Sequence, residues 1–294
     1  MLQGSGVAQL SIDGAVGSPV RPRATADRKA LVVGGARGIG AGIANRLMNH
    51  GATVAVADLD VDGHDLARSP AALMELDVRD AGRVDEVVSA TSEEMGGLDV
   101  VVNAAGQWAP TPLAMAIDPA LEAFRELLEV NLVGSFLVGR SAIPHLRVAG
   151  GDLILVSTDH VTTCGWPAAV DHREAEGCPW AGRRPRRPGG GVGMDSYDAS
   201  KWALNGLAQA WATELRGTDV RVNVLCPGAT DTRMLRSSFP SPSAEMVRNW
   251  LSPDDVGLVV EQLLSEGMDG RTGENIGVWP GHALSLPEAV RART

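Results

Sequence analysis

The stretch Ala30-Leu31-Val32-Val33-Gly34-Gly35-Ala36-Arg37-Gly38-Ile39-Gly40 decides how this chain is read. A short apolar run ends on clustered glycines, and helical spacing follows from Gly40 to His50. Glycine suits a sharp turn because it accepts positive φ and puts no side chain in the way of a close approach. A helix that begins behind such a turn presents unpaired N–H groups and the positive end of its dipole, which suits a phosphate. The spacing is Gly-x-x-x-Gly-x-Gly rather than Gly-x-Gly-x-x-Gly, and a glycine cluster by itself also fits a plain strand-to-helix turn. Its place at the first strand–helix junction favours a dinucleotide cradle.

Working outward, short apolar runs recur at Ala30–Val33, Val54–Ala57, Leu73–Leu76, Val100–Val102, Leu153–Val156, Val220–Leu225 and Ile276–Val278. They are too short for buried helices and read as strands covered on both faces. Between them, Gly40–His50, Ala81–Met95, Leu121–Leu146, Ser196–Arg216 and Asp254–Leu264 carry helical spacing. This alternation predicts a single Rossmann-type α/β fold, a doubly wound parallel sheet of about seven strands with helices on both faces. Residues 1–27, rich in Gly, Ser, Ala and Pro, read as a disordered leader, and residues 28–294 as one dinucleotide-binding and catalytic domain. The stretch 161–194 breaks the texture with Arg183-Arg184-Pro185-Arg186-Arg187-Pro188 and Gly189-Gly190-Gly191, and reads as an inserted loop.

The 294 residues carry 26 Lys+Arg against 36 Asp+Glu, a formal net charge of −10. That balance argues against nucleic acid or an anionic membrane as the main partner. Three cysteines, Cys164, Cys178 and Cys226, are too few for a disulfide scaffold and fit a reducing compartment. The longest uncharged run, Val100 to Ile117, includes Asn103, Gly106, Gln107, Pro110 and Pro112, which a bilayer helix would not place together. No secretory signal is evident, so the expected location is the cytoplasm.

Two features point to chemistry. The second apolar run ends at Asp58, where a carboxylate accepts hydrogen bonds from ribose hydroxyls and repels a 2′-phosphate, favouring NAD over NADP. Arg37 pulls the other way, because it can pair with a 2′-phosphate. Asp58 also reads as a helix cap, a role Asp60 serves equally well. The chain's single tyrosine, Tyr197, stands in Tyr197-Asp198-Ala199-Ser200-Lys201. Residues i and i+4 share a helix face, and a nearby ammonium lowers a phenol from about 10 towards working pH. A general acid–base for an alcohol oxygen needs that. The bland reading is an incidental surface pair.

Gly34-x-x-x-Gly38-Ile39-Gly40, Asn103-Ala104-Ala105-Gly106, Tyr197-x-x-x-Lys201 and Pro227-Gly228 occur in that order. Together they resemble the classical short-chain dehydrogenase/reductase family over about Lys29 to Gly281. The resemblance implies that Gly34, Gly38, Ile39 and Gly40 hold the pyrophosphate and adjoining ribose, and Asp58 the adenosine ribose. It implies that Asp77 and Val78 border the adenine, and that Asn103 and Gly106 steady the sheet beside the cofactor. Tyr197 would be the acid–base, and Lys201 would bind the nicotinamide ribose and tune it. Pro227, Gly228, Thr230 and Thr232 would fix the nicotinamide. Asn131 interrupts an apolar stripe of Phe124, Leu127, Leu128, Leu132 and Phe136, where the family holds a proton-relay water; the bland reading is an asparagine satisfied within the core.

The chain departs from the family pattern at three places. Val33 replaces the usual threonine before the first glycine, a loss of about 1 kcal/mol of hydrogen bonding. The catalytic serine position holds Thr158, which keeps a hydroxyl but restricts its rotamers, with Ser157 as the fallback. Thr158 and Tyr197 are 39 positions apart, where the family needs about a dozen, so the insertion leaves the sheet on the substrate side. Within it, Cys164, His172 and Cys178 match no zinc spacing, so no metal is expected. Arg183–Arg187 reads as solvated charge, and Trp166 and Trp180 as candidate pocket walls.

The resulting expectation is an NAD(H)-dependent oxidoreductase that interconverts a small secondary alcohol and a ketone, with catalytic residues Asn131, Thr158, Tyr197 and Lys201. The alternatives are an NADP(H)-dependent carbonyl reductase, with Arg37 outweighing Asp58, and a catalytically silent dinucleotide-binding sensor or scaffold. The resemblance implies a homo-oligomer, tetramer or dimer, and a substrate-closing segment from Thr230 to Trp250 that contains Met234, Leu235, Phe239 and Met246.

Overall fold

The computed structural model describes residues 25–161, 193–239, 241–279 and 286. Its strands are β1 (Lys29–Val33), β2 (Thr53–Asp58), β3 (Ala72–Glu75), β4 (Val100–Asn103), β5 (Gly151–Val156), β6 (Val220–Pro227) and β7 (Asn275–Val278). They make one sheet in the order β3-β2-β1-β4-β5-β6-β7, and every neighbouring pair is parallel. Strand order reverses between β1 and β4. In doubly wound sheets such a switch point opens a crevice at the carboxyl ends of the strands.

Eight helices flank the sheet in the described residues: α1 (Gly38–Asn49), α2 (Ala81–Met95), α3 (Ile117–Leu128), α4 (Gly134–Ala149), α5 (Asp195–Glu214), α6 (Arg233–Ser238), α7 (Ala244–Arg248) and α8 (Pro253–Ser265). The period-two side-chain alternation of β1 divides the core. Ala30 and Val32 pack with Ile43 and Leu47 of α1 and with Val256, Val260 and Leu263 of α8. Leu31 and Val33 pack on the other face with Val84 and Val88 of α2, Val138 of α4 and Leu204 of α5.

Local structure differs from the sequence reading at three points. The helix expected over Leu121–Leu146 begins at Ile117 and is interrupted by a π-helical turn, Glu129–Val133, which holds Asn131. A π turn widens a helix by one residue and re-aims the side chains in it, and such turns gather at functional sites. Strand β3 is not covered on both faces: it is the sheet edge, its residues are half-buried or exposed, and no helix lies between it and β2. Thr25–Asp27, which close the expected leader, form one 3-10 turn. Residues 1–24 and 162–192, with Cys164, Trp166, His172, Cys178, Trp180 and the Arg183–Arg187 cluster, lie outside the described residues.

Candidate active site

At the switch point β1 runs into the glycine turn. Gly34 has φ +70°, and a Cβ there would lie 2.3 Å from the Ala105 nitrogen, so a side chain would push β1 off the segment after β4. A Cβ at Gly40 would lie 2.0 Å from the Gly34 carbonyl oxygen. Glycine at these two positions lets the turn fold flat against its neighbours, the arrangement a pyrophosphate needs to approach backbone. Asp58, at the end of β2, accepts the Ala36 N–H at 2.9 Å and so ties its strand to this turn. Arg37 engages the loop after β2: it donates to the Asp60 carboxylate at 2.8 Å and to the main-chain carbonyl oxygens of Asp60 and Asp62.

A cleft of about 470 Å³ opens over the turn. Gly34, Arg37, Gly38, Ile39, Gly40, Asp58, Asp77, Val78 and Gly106 border it. Ser157, Tyr197, Lys201 and Thr232 also line it, Thr232 beside the turn, where a Cβ at Gly38 would lie 3.1 Å from its methyl group. The donor set, the glycine turn and the acid at the end of β2 fit a dinucleotide. Asn103, Asn131, Thr158, Pro227, Gly228 and Thr230 are not among the residues that line the cleft. Asn103 accepts from the Ala105 N–H and donates to Ser135 Oγ, which fixes the segment carrying Gly106. Thr230 Oγ1 donates to the Gly228 carbonyl, and Thr232 Oγ1 caps α6 by accepting from the Leu235 N–H. Val78 packs on Gly134, where a Cβ would come within 2.6 Å of it.

At the chemical end, α5 brings Tyr197 and Lys201 to the carboxyl edge of the sheet. Lys201 is buried and donates from Nζ to the Val156 carbonyl at 3.0 Å. Burial lowers its ammonium to about 8, with the charge of Cys226 opposing. Burial, then the charges of Asp198 and Asp159, raise the Tyr197 phenol above its ordinary value. The two hydroxyls after β5 divide their work: Ser157 Oγ donates to the Lys201 carbonyl, whereas Thr158 Oγ1 accepts from the His160 N–H. Asn131, fully buried, donates to the Gln107 carbonyl and Ser200 Oγ and accepts from the Gln107 N–H. Ser200 in turn donates to the Tyr197 carbonyl, so one chain of hydrogen bonds runs from the π turn to the tyrosine.

Sequence reasoning missed Gln107 and Ser200, whose neighbours Gly106 and Lys201 it had found. It also missed Arg79, which borders the cleft and grips the Asp77 carboxylate through Nε and Nη2, holding that acid well below its usual range. The spacing of Arg79 two residues after Asp77 was the available signal.

A family model described as Enoyl-(Acyl carrier protein) reductase matches residues 34–170 and 189–282. The chain is 33% identical over 249 residues to 1-deoxy-11-beta-hydroxypentalenate dehydrogenase of Streptomyces exfoliatus, covering 81% of this chain and 80% of that one. The chain belongs to the short-chain dehydrogenase/reductase family. Trans-4-hydroxycyclohexanecarboxylate dehydrogenase of Sinomonas cyclohexanicum is 31% identical, with 71% of this chain and 74% of the relative covered. A short-chain dehydrogenase from Burkholderia cenocepacia, solved in complex with NADP, superposes with TM-score 0.66 at 27% identity, covering 85% of this chain and 96% of that one. Like these family members, the chain is an oxidoreductase with a nucleotide-binding fold, and no helix among its described residues is long and apolar enough to cross a membrane.

Proposed function

We propose that this short-chain dehydrogenase/reductase interconverts a secondary alcohol and a ketone with NAD(H), using Tyr197 as the acid–base. The observation that carries the reading is the meeting of Tyr197 and Lys201 with the glycine turn along one cleft. The nicotinamide ring supplies the hydride acceptor or donor, and the remaining chemistry falls to this chain. Gly34, Gly38, Ile39 and Gly40 would hold the pyrophosphate, Asp58 the adenosine ribose, and Asp77 and Val78 the adenine edge. Asn103 and Gly106 would steady the sheet there, and Pro227, Gly228, Thr230 and Thr232 the carboxamide end. Thr158 would orient the substrate oxygen by its hydroxyl, with Ser157, which lines the cleft, as the fallback for that role. Tyr197 takes the alcohol proton in oxidation or returns it in reduction; burial and the charges of Asp198 and Asp159 oppose the phenolate, and the Lys201 ammonium is the cation that would favour it. Asn131 keeps that helix turn in register through Gln107 and Ser200.

NAD is supported over NADP by Asp58 at the ribose position and by the engagement of Arg37 with Asp60 and Asp62. The exposed Leu121, Val133, Phe136 and Trp202, on α3, the π turn, α4 and α5, support a homo-oligomer, dimer or tetramer. A paired fluorescence titration with NADH and NADPH, followed by a panel of secondary alcohols with Tyr197→Phe beside wild type, tests the reading. Tight NADH binding with turnover lost in Tyr197→Phe supports it. Preference for NADPH would transfer the cofactor role to Arg37, and failure to bind either nucleotide would end the enzyme reading.

A further inference from the structure

Thr158 and Tyr197 are bracketed by two side chains that the reaction as read does not use. His160 lies on the 3-10 turn Asp159–Val161, two residues beyond Thr158, and Asp198 follows Tyr197 on α5. Nδ1 of His160 stands 2.7 Å from the Asp198 carboxylate. An ionised carboxylate only accepts, so the imidazole nitrogen is the donor. The same ring meets Tyr197 edge-on, with centroids 6.5 Å apart and planes at 85°. The His160 N–H donates to Thr158 Oγ1 at 3.4 Å. One histidine thus touches the hydroxyl after β5, the phenol ring and the carboxylate next to that phenol.

Among the described residues, the titratable and charged groups on the elements packed against the turn of His160 are Asp159 on that turn, Asp195, Tyr197, Asp198, Lys201 and Glu214 on α5, and Arg221 and Cys226 on β6. Asp159 accepts from Trp279 Nε1 at 3.2 Å, and Lys201 points its ammonium at the Val156 carbonyl. After burial, Asp198 and then Asp159 are the causes that make the Tyr197 phenol harder to ionise. A hydrogen bond donated to a carboxylate draws off part of its charge, and more so where water is scarce.

We propose that His160 and Asp198 form a positioning pair, in which the imidazole steadies the Tyr197 ring and damps the field that Asp198 places on the phenol oxygen. The proposal rests on Tyr197 being the acid–base; neither partner touches the reacting atoms. The pair sets the pH at which Tyr197 exchanges its proton, and with it the pH range of alcohol oxidation.

Tyr197 is the single tyrosine of the chain, so the ultraviolet absorbance of phenolate reports this residue and nothing else. The test is a pH-jump titration of that absorbance on the full chain, read before alkaline unfolding, without nucleotide and with NADH, using Tyr197→Phe as the blank. Asp198→Asn lowers the midpoint by about one unit, roughly tenfold in phenolate at a fixed pH. His160→Phe keeps a ring against the phenol but has no donor, and raises the midpoint. His160→Asn keeps a donor near the place of Nδ1 and stays close to wild type. Both side chains are about a third exposed or less, at 27% and 33%, and far-ultraviolet circular dichroism checks that each variant is folded. Asp198→Asn and His160→Phe moving the midpoint in the same direction, or leaving it in place, overturns the proposal. Retained turnover in Tyr197→Phe would instead overturn the acid–base reading, and the titration result would stand apart from it.

Discussion

Arg37 donates to the Asp60 carboxylate at 2.8 Å and reaches round to the main chain of Asp60 and Asp62, so the cation in the glycine turn is held by the loop after β2. A guanidinium engaged this way has to give up hydrogen bonds before it can grip a 2′-phosphate. Asp58, meanwhile, puts a second negative charge at the turn through its bond to Ala36. Asp60→Ala should weaken the hold on Arg37 and raise affinity for NADPH modestly, since the pair is exposed to solvent. Asp58→Ala combined with Asp60→Ala should raise the NADPH-to-NADH affinity ratio by roughly tenfold or more. Nucleotide fluorescence titrations at two salt concentrations check this. An unchanged ratio in the double variant would show that neither carboxylate sets the preference.

Lys201 carries a cost for its position. Its ammonium is buried and lowered to about 8 from 10.5, so the unfolded chain holds that proton more tightly between those pH values. Stability of the wild type therefore rises with pH through the window, and the destabilisation is full below about 8. Lys201→Met, of similar length and uncharged, should be inactive yet more stable at pH 7, by on the order of 2–3 kcal/mol. That gain should shrink towards pH 10.5. Denaturant unfolding at pH 7 and at pH 10 measures it, and a gain independent of pH would trace to packing rather than charge.

Asn131 supports the site through three side-chain hydrogen bonds, two to the main chain of Gln107 and one to Ser200. Asn131→Leu would fill similar space and leave the Gln107 N–H and C=O without those partners. A fully buried group stranded in this way costs about 1–3 kcal/mol, and the half-buried Gln107 less. The expected result is a lowered urea midpoint together with a fall in kcat, because the Ser200 link to Tyr197 also loses its anchor. A variant with the lower midpoint and a wild-type kcat would confine Asn131 to a structural role.

The parts of this architecture that depend on local periodicity were readable in the chain. All seven apolar runs became strands, because parallel strands buried on both faces are rich in Val, Ile, Leu and Ala. The exception in burial, β3, lacks a covering helix on the 59–71 connection, and the charged Glu75 inside its run was the available signal of an exposed position. The π turn was half visible: Asn131 stood out as a polar residue in an apolar stripe, but an extra residue in one helical turn leaves no mark on a periodic pattern. The orientation of Arg37 was not readable, since the choice between cofactor and Asp60 depends on where the loop after β2 carries its carboxylates. The His160–Asp198 contact joins positions 38 residues apart across the insertion, a separation at which sequence offers no register.

Asp152 lies at the opposite end of β5 from Thr158, and its environment separates folding from chemistry. Its carboxylate sits 2.6 Å from Arg221 Nη2 and 3.6 Å from Arg28 Nη1, and these side chains are at most 2% exposed. Arg221 Nη1 continues the network to Glu266 at 3.5 Å, and Glu266 holds Arg271. Asp152→Asn keeps the shape but leaves the arginines with less compensation in a dry environment. Breaking a buried ion pair from one side costs about 3–5 kcal/mol. The variant should lose Tm heavily while its NADH affinity, measured at a temperature where it is still folded, stays at the wild-type value. Loss of NADH affinity at that temperature would mean that the floor of β5 couples to the glycine turn across β4 and β1, and the two ends of the sheet could not be treated as independent.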